Sequence, residues 1–151
     1  MPQSLASVNL HTIFSTKNRE PWLRNANLRA DLHSWMGGVV NTLGCIPIEI
    51  GGVSDHVHLL TTLSRTLTIA DFVKETKRVS ALWLKERSAD FRAFHWQAGY
   101  GVFSIGQSQK DTVIRYVRDQ EAHHRKRTFK EEFRDFLDRY EVEYDERYVW
   151  A

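Results

Sequence analysis

The chain has 151 residues, a formal net charge of +2 and one cysteine, Cys45, which can form neither an internal disulfide nor a thiolate cluster. That length predicts a single domain over 1–151, and 42% hydrophobic content with five Trp, five Tyr and eight Phe excludes a disordered chain. No apolar run approaches the ~20 residues that cross a bilayer, and the N-terminus lacks a signal-peptide pattern, so a cytoplasmic protein is expected.

Residues 4–15 alternate as a strand, with Ala6, Val8, Leu10, Thr12 and Phe14 on one face and Asn9, His11 and Ile13 on the other. After a polar turn ending at Pro21, a stripe of Leu28, Leu32, Trp35/Met36, Val39 and Leu43 predicts a helix over about 25–43, stopped at Gly44. Residues 45–53 read as a strand that turns or bulges at Gly51-Gly52, followed by a strand from His56 to about Leu63. Thr68 with Asp71 three residues on is a capping pattern, opening a helix with core residues Phe72/Val73, Thr76, Val79 and Trp83. Residues 94–104 are aromatic and glycine-punctuated, and their latter part reads as a fourth strand. Ser108 or Asp111 is placed to cap a helix reaching about Arg125, and a further helix over about 129–140 carries Phe129, Phe133 and Phe136/Leu137. The end, 141–150, is short and mixed. The order β-α-β-β-α-β predicts an α+β, ferredoxin-like fold: an antiparallel sheet with two helices on one face, its other face open, followed by C-terminal helices.

His56 and His58 share one face of their strand, with Val57 and Leu59 on the core side. Two imidazoles side by side on a rigid sheet are half of a metal site. His11, by strand parity, shares that face as a candidate second-layer residue. Asp55 precedes the pair with the opposite parity and is not read as a ligand. On the late helix, Tyr116 and Gln120 are four apart and share a face, with His123 or His124 one turn on. An amide oxygen beside two imidazoles can hold a divalent cation with positions left for a phosphate oxygen, and a nearby phenol is a candidate nucleophile.

Charge points the same way. The 21 residues from Glu131 carry −5 and the first 130 carry +7, a basic body that suits a polyanion. Lys74, Arg78 and Lys85 on the second helix, and Arg125, Lys126 and Arg127 after Gln120, are candidates for backbone phosphates. Trp96, Tyr100 and Phe103 are candidates either for stacking on unpaired bases or for the core.

Several stretches are familiar together: Leu10-His11-Thr12-Ile13-Phe14-Ser15-Thr16-Lys17, Ser54-Asp55-His56-Val57-His58-Leu59-Leu60, Trp96 to Ser104, Val113 to His124, and Tyr144-Asp145-Glu146-Arg147-Tyr148. In that order the sequence resembles, over nearly its whole length, the small single-tyrosine HUH transposases of bacterial insertion sequences, the TnpA-like transposases. The resemblance implies that His56 and His58 bind Mg²⁺ or Mn²⁺, that Gln120 completes the metal site and that Tyr116 is the nucleophile. It further implies cleavage and rejoining of single-stranded DNA through a 5′-phosphotyrosine, recognition of hairpins at the element's ends, and a homodimer with sites completed in trans. The alternatives are a non-catalytic single-stranded nucleic-acid (hairpin) binding module and a nickase of the replication or relaxase kind.

Overall fold

In a computed structural model that describes residues 3–151, four strands form one antiparallel sheet in the order β2-β3-β1-β4. They are β1 (Asn9–Ser15), β2 (Pro47–Gly52), β3 (His56–Thr62) and β4 (Gly101–Ile105), and they alternate with α1 (Ala26–Thr42) and α2 (Ile69–Arg87) in the expected order. Three helices follow: α3 (Lys110–Arg118), α4 (Gln120–His124) and α5 (Phe129–Arg139). Among the described residues, no helix is long and apolar enough to cross a membrane.

Local signals account for most boundaries. The Asn25 side chain accepts from Leu28 N at 3.0 Å and Thr68 Oγ1 accepts from Asp71 N at 3.0 Å, each satisfying an orphan donor of its helix. Gly44 sits at φ +79° just past α1, a conformation that side chains disfavour. Two readings shift. The chain turns at Val53–Asp55, with a register shift between Pro47 and Glu49, so Gly51 and Gly52 are regular members of β2. Neither Ser108 nor Asp111 caps α3; a 3₁₀ turn over Gln107–Gln109 leads into it instead.

One face of the sheet holds Phe14, Val57 and Leu59 against Leu32, Met36 and Val40 of α1 and Phe72, Val73 and Leu84 of α2. Burying each such side chain contributes roughly 1.5–3 kcal/mol. The other face is not open, as the sequence alone had suggested. Ile13 and Phe103 there meet Phe129, Phe133, Phe136 and Leu137 in a second apolar cluster. The reason is the aromatic stripe of α5, which needs an apolar floor and finds it on β1 and β4. Every residue of β1 is therefore buried, and His56 and His58 are wholly shielded from solvent.

Candidate active site

The site rests on one row across the sheet. Gly51, His58, Ile13 and Gly101 are direct cross-strand partners on β2, β3, β1 and β4 in turn. Opposed residues of an antiparallel pair share a face, so this row has two large side chains between two vacant ends. The vacant ends admit the covering helices. A Cβ on Gly51 would collide with the carbonyl oxygen of Val117 in α3, and one on Gly101 would strike the ring of Phe133 in α5. α3 thereby brings Tyr116, next to Val117, down beside His58, with ring centroids 5.8 Å apart.

The side chains above the row converge on Glu132. This α5 carboxylate is 2% exposed. Its Oε1 lies 2.9 Å from His58 Nε2 and 3.5 Å from His56 Nε2. Its Oε2 accepts from the Tyr116 hydroxyl, lies 3.1 Å from His124 Nε2, and is 3.4 Å from Gln120 Nε2. Gln120 turns its Oε1 to His56 Nε2 at 3.1 Å. Behind the imidazoles, His56 Nδ1 is 2.7 Å from Asp55 Oδ1, and His58 Nδ1 is 2.8 Å from His11 Nε2. Both histidines are thus held from behind and present Nε2 to one place.

Electrostatics follow from this packing. Burial opposes charge on His56, yet its bonds to Asp55 and Glu132 outweigh burial and raise it to about 9. Burial keeps His58 and His11 below the usual histidine range. Burial would raise Glu132, but the surrounding His58, His124 and His56 hold its carboxyl far below the carboxylate range. Burial first, and then the adjacent Glu132 charge, push the Tyr116 phenol above its ordinary value.

The structure brings Tyr116, Gln120, His56, His58 and His11 together within one chain. Arg125, Lys126 and Arg127 line a groove of about 610 Å³ that opens beside Asp55 and His124. Lys74, Arg78 and Lys85 lie on α2, in the layer on the far side of the sheet from the histidines. Trp96 and Phe103 are core residues, while Tyr100 is 39% exposed.

Sequence reasoning passed over Glu132 and set Asp55 aside. Glu132 lies among Phe129, Phe133 and Phe136 on the buried face of α5, and an acid inside an apolar stripe is the signal that marks it. Asp55 belongs to a turn, where strand parity does not apply, and it reaches His56 from there. His124, one of the two histidines expected one turn beyond Gln120, packs its ring on His56 at 4.3 Å between centroids.

The sheet order and helix layers are those of solved transposase structures. A crystal structure from Deinococcus radiodurans R1, described as that of a transposase, superposes with a TM-score of 0.62 at 21% identity, covering 80% of this chain and 95% of that one. A REP-associated tyrosine transposase bound to a REP hairpin superposes with a TM-score of 0.60 at 13% identity, covering 82% of this chain and 72% of that one. The fold is therefore one that transposases use. The family described as "Transposase IS200 like" matches residues 4–120, and the chain belongs to this IS200-like transposase family. No curated protein matches the chain.

Proposed function

We propose that the protein cleaves and rejoins single-stranded DNA at insertion-sequence ends through a 5′-phosphotyrosine on Tyr116, with Mg²⁺ or Mn²⁺ held by His56, His58 and Gln120. The observation that carries this reading is the meeting of the Tyr116 hydroxyl and both imidazole Nε2 atoms at one buried carboxylate. The donor set fits a divalent cation. Octahedral Mg²⁺ at ~2.1 Å from its ligands sets neighbouring donors about 3.0 Å apart. His56 Nε2 and Gln120 Oε1 are separated by 3.1 Å.

Bound there, the cation would polarise the scissile phosphate and offset its charge. The chain's own residues do the rest. Asp55 and His11 fix the two rings, and Gln120 braces the phenol helix through Nε2 on the Tyr116 carbonyl at 3.3 Å. Tyr116 Oη attacks phosphorus, the bond from phosphorus to the 3′ oxygen breaks, and the phenol proton, relayed through Glu132 Oε2, ends on that oxygen as the free 3′-OH. Rejoining is the reverse attack, so the phosphodiester energy is conserved in the phosphotyrosine. Arg125, Lys126 and Arg127 line the groove through which a strand's phosphates would approach.

The hairpin in the structural neighbour supports a hairpin-bearing strand as the substrate. The assembly of tyrosine helix and histidine pair within one chain favours a site completed in cis over the trans homodimer that the resemblance implied. The test is incubation with single-stranded DNA carrying the element's flanking inverted repeats and Mg²⁺, followed by a denaturing gel. A protein–DNA adduct that disappears with EDTA is expected. Hairpin binding without an adduct would replace the enzyme reading with that of a binding module.

A further inference from the structure

We propose that Glu132 is a fourth protein ligand of the cation, binding through Oε1 beside His56, His58 and Gln120. The inference rests on the metal reading above and extends it to a residue outside the family's matched span, which ends at Gln120.

Three observations support it. Glu132 is 2% exposed, and among the described residues no lysine or arginine side chain bonds to it. A buried carboxylate needs positive charge beside it, and no fixed lysine or arginine charge supplies it here. Its Oε1 stands 2.9 Å from His58 Nε2 and 3.5 Å from His56 Nε2, close to the spacing of neighbouring donors around one small cation. Both histidines have Nδ1 engaged from behind, by Asp55 and by His11, which is how proteins orient imidazoles that bind metal through Nε2.

Glu132 thus has two ends with different tasks. Oε1 faces the imidazoles and the ion, while Oε2 holds the Tyr116 hydroxyl. Because Glu132 belongs to α5, the ion would also fasten that helix to the sheet.

The test uses the full chain stripped with EDTA and titrated with Mn²⁺, free Mn²⁺ being read by electron paramagnetic resonance. The wild type is expected to bind Mn²⁺. Glu132→Gln, which keeps the side chain's shape, is expected to bind at least tenfold more weakly, while Glu131→Gln on the exposed neighbour binds as wild type. Unchanged affinity in a Glu132→Gln protein with a native circular dichroism spectrum overturns the assignment and leaves the other three ligands standing. No uptake by the wild type overturns the metal reading itself, and this assignment with it. Should Glu132→Gln fail to fold, the carboxyl ¹³C resonance of Glu132 is followed in the wild type during Mg²⁺ addition. A shift of that resonance upholds direct ligation, and a resonance that stays put as Mg²⁺ binds rejects it.

Discussion

Tyr116 on α3 and Glu132 on α5, with α4 between them in the chain, are joined by a hydrogen bond from the phenol hydroxyl to Oε2 of the carboxylate. That bond aims the phenol oxygen at the histidine side of the site, and Phe136 supports the Tyr116 ring edge-on at 5.7 Å between centroids. The proposed nucleophile is therefore positioned by α5 as much as by its own helix.

Tyr116→Phe removes only the hydroxyl. Adduct formation is expected to fall on the order of 10⁴-fold or more, the scale for deleting a covalent nucleophile. Hairpin affinity, measured by fluorescence anisotropy, should stay within about threefold because Arg125, Lys126 and Arg127 are untouched. An adduct of undiminished yield would mean that another residue attacks.

Mixing two inactive proteins, Tyr116→Phe and His56→Ala, examines whether one chain supplies the whole site. Since Tyr116, Gln120 and the histidine pair meet within one chain, the mixture should remain inactive. Recovery of cleavage in verified mixed assemblies would establish exchange of the tyrosine helix between subunits.

Asp55→Ala removes the acceptor of the 2.7 Å bond from His56 Nδ1. Such orienting partners typically account for 10–100-fold in metal affinity. Mn²⁺ binding should weaken within that range, and an unchanged dissociation constant would contradict the positioning role of Asp55.

Gly51→Val adds a side chain where the Val117 carbonyl already sits. Overpacking of this kind costs about 1–3 kcal/mol. A lowered melting temperature is expected, together with a loss of adduct formation larger than the loss of hairpin binding. A variant with wild-type stability and cleavage would show that α3 does not need the vacant position.

His33 on α1 bears on pH. Burial, helped by nearby Arg29, lowers it to about 4, and its Nε2 is buried without a partner. An unfolded histidine titrates near ~6.5, so between these values the folded state binds fewer protons than the unfolded state. Stability is therefore present above pH ~6.5 and lost as pH falls toward 4, by at most ~3 kcal/mol from this residue. His33→Leu should show a smaller drop in melting temperature over that window than the wild type. Equal drops would remove His33 as a contributor.

Much of the fold is legible in the sequence because its signals are local. Thr68 with Asp71, the apolar stripe from Leu28 to Leu43 and the strand parity of His56 and His58 each act within a few residues, and each is realised. Tyr116 and Gln120 are legible for the same reason, one helical turn apart, although the helix breaks at Asp119 between them. The covering of the second sheet face is not local. It depends on Phe129, Phe133 and Phe136 finding Ile13 and Phe103 from far along the chain. Glu132 comes with that covering, so the carboxylate on which the site's side chains converge is disguised among the acids of a negatively charged C-terminal segment.

The two glycines that end the row through His58 carry no chemistry, yet the approach of Tyr116 and the seating of Glu132's helix both depend on their lack of bulk. A relative that kept His56, His58, Tyr116 and Gln120 but acquired a methyl group at either glycine would pass any motif inspection as intact. Its phenol or its carboxylate would nonetheless be propped away from the imidazoles. Damage of this sort is silent in the signature residues, and the positions matching Gly51 and Gly101 are where a decayed copy of the element would betray itself.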